Sequence, residues 1–178
     1  MNTDTLVNKT LEGAASRGAI TEKLHLNDLI IKPCQACLQH PAPKHCWIDD
    51  SMEKVYDALE TADALVIGTP AYYNSITAQL KLVVDRSNCL TQMIKLEDGS
   101  VIFRPRLTRK KKAALIWVAD SSQNAECALA TMRLWCQDIN AEFVDVMTVV
   151  DSDHGEGARN REALLTKAYE MGAVLLQK

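Results

Sequence analysis

The sequence predicts an α/β fold, a doubly wound parallel sheet with helices on both faces in three α/β/α layers. Three observations carry that reading. Apolar runs of strand length begin at Ala64 and span Ala113–Ala119 and Phe143–Val150; segments with helical periodicity alternate with them; and no repeat or low-complexity linker divides the 178 residues. Right-handed crossovers between such strands put helices on both faces of a small twisted sheet. The chain is read as a single domain, residues 1–178.

Each element has its own signal. Val7, Leu11, Ala14 and Gly18 share one helical face, followed by a short strand candidate, Lys23 to Leu26. Met52, Val55, Tyr56 and Leu59 make a second helix, opened by Asp50 with Glu53 three residues on, a capping-box pattern. It leads into the Ala64 strand. Ile76, Leu80, Val83 and Val84 form the stripe of a third helix with Ser75 as its N-cap. An irregular stretch, Asn88 to Arg109, precedes the Ala113 strand. The helix after that strand buries Leu129, Met132, Cys136 and Ile139, and a last helix carries Leu164, Ala168, Met171 and Leu175 on one side. The order begins with a helix, where the alternation leads one to expect a strand ahead of it.

Composition narrows the class of protein. With 47% hydrophobic and 24% charged residues the chain can pack an ordinary core, and a formal net charge of −3 gives no general attraction to nucleic acid or anionic lipid. The first residues lack a cationic stretch followed by an apolar one, and no run approaches a membrane span, which points to a cytoplasmic protein. Of six cysteines, three gather at 34, 37 and 46, which suits reduced thiols or metal ligands better than a disulfide framework.

The informative segment is Ala64–Arg86, read as strand, loop and helix. Ligands of an open parallel sheet sit outside the carboxyl ends of its strands, where Thr69 to Ser75 fall, offering backbone amides and two phenol rings to a flat ligand. The tyrosines could equally be a cover for the helix–strand junction. Gly68-Thr-Pro-Ala-Tyr-Tyr-Asn-Ser-Ile-Thr-Ala-Gln-Leu-Lys81, with Asp85-Arg86 at the helix end, resembles the flavin loop of the NADPH-dependent FMN reductase and iron-sulfur flavoprotein group of the flavodoxin-like superfamily. The likeness extends upstream through Asp28–Cys37 and Ile48–Met52 and downstream through Glu162–Leu175.

The resemblance implies FMN held between strand-end loops, with Pro70, Ala71, Tyr72, Tyr73, Asn74 and Ser75 as ring contacts and Asp120 and Ser121 near the ring. Asn2-Thr3 matches the end of the family's phosphate loop, so Asn2, Thr3 and Thr5 inherit a phosphate role, helix capping being their other reading. Most of that loop and the strand before it are absent. In the flavodoxin-like order this strand lies between the one near Leu24 and the one near Leu65, and its loss leaves backbone groups unpaired unless the sheet closes up or another chain substitutes.

Cys34-x2-Cys37-x2-His40-x5-Cys46 resembles the cysteine motif of iron-sulfur flavoproteins, with His40 in place of the third cysteine. It admits an iron-sulfur cluster, a tetrahedral zinc site, with His45 as an additional candidate ligand, or a metal-free loop. The basic run Arg104–Lys112 is a solvated loop end, a contact for the NADPH phosphate or a contact for a partner's acidic surface, and Asp151–Gly157 a polar turn.

By resemblance the protein is an oxidoreductase moving electrons from NAD(P)H through FMN to a small-molecule or protein acceptor, as a homodimer or higher homo-oligomer. No side-chain acid or base is required, because the cofactor carries the chemistry. The rival reading is a non-enzymatic metal-binding or redox-sensing module on a flavodoxin-like scaffold that has lost FMN.

Overall fold

The computed structural model describes residues 2–37, 41, 44–120, 123–150 and 157–177. In chain order the elements are α1 (Asn2–Ala15), α2 (Met52–Thr61), β1 (Ala64–Pro70), α3 (Ala78–Arg86), β2 (Thr91–Lys95), β3 (Val101–Pro105), β4 (Lys111–Ala119), α4 (Glu126–Asp138), β5 (Ala141–Val150) and α5 (Glu162–Leu175). β1, β4 and β5 form a parallel sheet in the order β1-β4-β5, and β2 and β3 an antiparallel hairpin. Among the described residues no helix is long and apolar enough to cross a membrane.

β4 is the central strand, and Ala113–Trp117 along it are completely buried. Its side chains alternate between two cores. Leu115 and Trp117 meet α2, α3 and α4 through Tyr56, Leu80 and Met132, while Ala114 and Ile116 meet α1 and α5 through Leu6 and Met171. The two cores on opposite faces of a parallel sheet are the layered architecture expected from the alternating sequence pattern.

Four expectations need correction. Lys23–Leu26 is not a strand: it runs without regular structure into a 3-10 turn, Leu26–Asp28, because no described strand lies alongside it to pair with. The stretch after α3 is not irregular throughout, since β2 and β3 pair from Thr91–Pro105 to Lys95–Val101. α3 is capped not by Ser75 but by Thr77, whose hydroxyl accepts the Leu80 N–H at 3.3 Å. Asp50 does not close a capping box with Glu53: α2 starts after Ser51, and the Asp50 carboxylate accepts the Met52 N–H while pairing with Arg86.

The buried face of α1 is also rotated from the expected one. Leu6, Thr10, Gly13 and Ala14 are buried, whereas Val7 and Leu11 stay half-buried beside β1. α1 crosses α5 at glycine on both sides. A Cβ at Gly13 would enter the Tyr169 carbonyl, and one at Gly172 the Thr10 carbonyl, so the two backbones touch directly.

Candidate functional site

β1 ends at Pro70 and leads into a tight turn. The Ala71 N–H donates to the Val118 carbonyl at 2.7 Å, extending the β1–β4 ladder. Tyr72 and Ser75 then exchange backbone hydrogen bonds at 3.2 and 3.0 Å around Tyr73 and Asn74, whose φ angles are +53° and +60°. Two consecutive positive φ values define a type I′ geometry, which asparagine tolerates and tyrosine adopts at a cost.

The turn is held from below and from the side. Thr69 is fully buried, and its hydroxyl accepts the Thr77 N–H at 3.1 Å while donating to the Pro70 carbonyl at 3.0 Å. Ala71 and Ile76 are buried as anchors. From the side, the Asn74 N–H donates to the Gln123 side-chain oxygen at 2.9 Å, and the Asn74 side chain accepts the Asn124 N–H at 3.0 Å. The loops after β1 and β4 are thereby joined. Tyr72 and Tyr73 project outward, 61% and 98% exposed. Tyr72 rims a platform of fixed backbone, and both phenols are available to a planar ligand.

Asp120 is exposed at the end of β4, and Ser121 lies outside the described residues. At the start of α1, Thr3 and Thr5 are half-buried, and Thr3 lies against Gly68. Asn2 does something the sequence did not announce. Its side-chain oxygen accepts the Ala158 N–H at 2.8 Å, tying the α1 terminus to the segment after β5. That Gln123 and Asn124 bond to Asn74 and that Thr77 caps α3 was not read from the sequence. A hydroxyl three residues before Leu80 is a readable cap signal, but the pairing of Asn74 with residues about fifty positions away has none.

The cysteine segment is less convergent. Cys34 is exposed and its sulfur accepts the Ala36 N–H at 3.4 Å; Cys37 is half-buried and accepts the Trp47 indole N–H at 2.9 Å; Cys46 is buried in the core. His40 lies outside the described residues. His45 pairs with Glu60 at 2.8 Å and sits edge-on to Tyr56 with ring centroids 5.1 Å apart, so its ring is engaged elsewhere. Among the described residues no three of His, Cys, Asp or Glu gather closely enough to hold a metal ion.

Arg86 fixes both arms of this segment. Its guanidinium donates to the Lys32 carbonyl at 2.9 Å, to Asp50 at 2.6 Å and to the Ile48 carbonyl at 3.5 Å, and the side chains of Arg86 and Asp50 are 1% and 2% exposed. Burial opposes the Asp50 charge, yet the Arg86 hydrogen bond and the Lys32 and Met52 amides outweigh it and hold the carboxyl below the usual carboxylate range. Behind the clamp, the Tyr56 hydroxyl donates to the Arg86 carbonyl at 2.7 Å and the Cys89 sulfur lies 3.2 Å from that hydroxyl.

The basic run is used structurally, at the opposite end of the sheet from the turn. Arg109 pairs with Asp63, Lys112 donates to the Gln177 carbonyl at 2.6 Å, and Lys111 is buried with its ammonium on the Arg109 and Ile139 carbonyls at 2.8 and 3.0 Å. Burial, and then the Arg109 charge, push the Lys111 pKa down.

A strand-end turn of this sequence, on a parallel α/β sheet, can be compared with known proteins. Residues 1–156 match the family described as NADPH-dependent FMN reductase. The chain belongs to that family. It is 33% identical over 86 residues to an iron-sulfur flavoprotein of Methanosarcina thermophila, covering 48% of this chain and 45% of that protein. It is 33% identical over 107 residues to an iron-sulfur flavoprotein of Archaeoglobus fulgidus, covering 60% and 52%. The alignments thus span about half the length of these curated relatives. Among solved structures, an NAD(P)H:quinone oxidoreductase from Methanothermobacter marburgensis superposes with a TM-score of 0.68 at 17% identity, covering 100% of this chain and 90% of the other. An FMN-dependent NADH-azoreductase from Bacillus anthracis, in complex with FMN, gives 0.64 at 10%, covering 98% and 91%. These likenesses establish the flavodoxin-like fold.

Proposed function

We propose that the chain is an FMN-dependent oxidoreductase forming one flavodoxin-like domain over residues 1–178, with NAD(P)H as donor and a small molecule or a protein as acceptor. The observation that carries the proposal is the type I′ turn after β1, exposing Tyr72 and Tyr73 and hydrogen-bonded through Asn74 to the loop after β4. When bound, FMN would accept hydride from a nicotinamide and pass the electrons on.

This chain's residues would orient and shield it. Pro70 to Ser75 would support the ring; Asp120 and Ser121 would border it. Asn2, Thr3 and Thr5, at the positive end of the α1 dipole, would face the phosphate. The Asn2 side-chain oxygen accepts the Ala158 N–H, so its amide nitrogen and the backbone N–H groups of the first turn of α1 are the donors a phosphate would meet. Homo-oligomer formation is part of the reading: the β2–β3 hairpin exposes Met93 and Phe103, each 67% exposed, as an apolar surface for a partner copy.

The rival reading, a metal-binding or redox-sensing module without flavin, draws support from the cysteines gathered at 34, 37 and 46. Iron-sulfur or zinc at Cys34, Cys37, His40 and Cys46 belongs to it, or accompanies FMN. The absorption spectrum and metal content of one purified sample separate the two. An oxidised-flavin double band, or a rise in melting temperature with added FMN, supports the oxidoreductase; zinc with no flavin band and no response to saturating FMN overturns it.

A further inference from the structure

The β2–β3 hairpin has two faces of unequal burial. Ile94 and Ile102 stand opposite each other and are half-buried, whereas the next cross-strand pair, Met93 and Phe103, points the other way and is exposed. Lys95 and Val101, the following pair on that outer face, are exposed too. A two-stranded ribbon is marginal alone, and a bare apolar face on one marks a contact surface. This face carries charge at both ends. Near the turn stands the Lys95 ammonium; at the base, Thr91 brings its hydroxyl beside the carboxylate of Asp138, the last residue of α4. Among the described residues neither Lys95 nor Asp138 has an ion-pair partner. Asp138 is half-buried at the negative end of the α4 dipole, and burial pushes its carboxyl up despite the Thr91 hydroxyl, so a cation is what it lacks. Leu134, one turn earlier on the same side of α4, is exposed and adds apolar surface.

We propose that this outer face is the contact between two copies of the chain, whose hairpins stack face to face and antiparallel about a twofold axis, so that Lys95 of each meets the partner's Asp138. The apolar pair supplies the centre of the contact and the charges fix its direction. A parallel stack would gather both lysines at one end and both carboxylates at the other, whereas the antiparallel stack joins opposite charges twice. The spacing fixes the register. Lys95 and Thr91 lie about 14 Å apart at about 3.4 Å per residue, with Met93 midway between them, so the axis runs along the Met93–Phe103 pair and lays Phe103 against the partner's Phe103. The proposal rests on the homo-oligomer reading above and adds to it the surface, the direction and the charge pair. It stands whether or not the chain binds flavin.

The test follows the mass of the 178-residue chain by analytical ultracentrifugation across a wide range of concentration at low salt. The expected result is a concentration-dependent dimer whose dissociation constant rises about tenfold or more in Phe103→Glu, in Lys95→Glu and in Asp138→Lys. An equimolar mixture of Lys95→Glu with Asp138→Lys should recover the association of the unaltered chain, because in the mixed dimer both charge pairs are again opposite. Recovery on mixing also shows that neither variant is merely misfolded. Weakened association without recovery in the mixture overturns the proposal, since the two charges then do not meet across the contact. A dimer or larger assembly that none of the three variants disturbs also overturns it and leaves the homo-oligomer reading standing. A chain that stays monomeric at the highest concentration overturns both.

Discussion

Arg86 joins distant segments of the chain through one side chain. It is a buried cation that meets one buried carboxylate and two carbonyls from segments before and after the cysteines. Removing one member of such a pair leaves the other charged and unsolvated, which costs about 3–5 kcal/mol, while replacing both by apolar groups costs far less. Urea unfolding of Arg86→Met should therefore show a loss of that order, and the double variant Arg86→Met with Asp50→Leu should recover much of it. The pH dependence has a definite sign. The Asp50 carboxyl is depressed in the folded state, so its stabilisation is complete above the unfolded value of about 4 and is lost as pH falls through the lower folded value. Asp50→Asn should flatten this acid limb of a stability-against-pH curve. The cysteines separate by environment. Burial raises the Cys136 thiol to about 11 and also pushes Cys89 up, whereas Cys34 and Cys127 are exposed. Brief alkylation at neutral pH should mark Cys34 and Cys127 first by peptide mass spectrometry, and labelling of Cys136 ahead of them would contradict this burial pattern.

At the scale of elements, local rules carried the sequence reading as far as they act. β4 was legible because Ala113–Ala119 is an unbroken apolar run, and α4 and α5 because their buried residues keep helical spacing. The hairpin was not legible. Thr91–Lys95 and Val101–Pro105 mix polar with apolar residues, so the strands give no clear period, and the one readable signal, Asp98-Gly99 with Gly99 at φ +83°, lies in the turn that joins them. The face of α1 was misjudged for another reason: Gly13 and Gly172 let α5 approach so closely that Thr10 is buried, which no apolar count of α1 alone reveals. Gly172→Ala should test that crossing, with overpacking costing about 1–3 kcal/mol in thermal or urea unfolding. The turn after β1 was legible as a site but not as a geometry. Tyr73 is strained by its positive φ, so Tyr73→Gly should stabilise the fold by about 1 kcal/mol while weakening FMN binding. Gains in both stability and affinity would place the ring elsewhere than on this tyrosine.

The whole molecule reports on the proposed cofactor by mass action. FMN at about a hundred times its dissociation constant adds about 2.7 kcal/mol, which for a chain of this size corresponds to a melting shift of several degrees. A clear shift is expected in the natural chain and a smaller one in Tyr72→Ala, read by differential scanning fluorimetry at fixed protein concentration. What the fold makes legible at this scale is the sheet order. The pairings of β1 with β4 and of β4 with β5 join segments far apart in sequence, a topology in which loop closure slows folding. The Arg86 clamp gives that long chain a second kind of robustness. Because one guanidinium grips residue 32 on one side and residues 48 and 50 on the other, a protease cut at Lys44 would sever the backbone without freeing either end. The two pieces would travel together through a sizing column, and come apart only when acid or urea opens the grip.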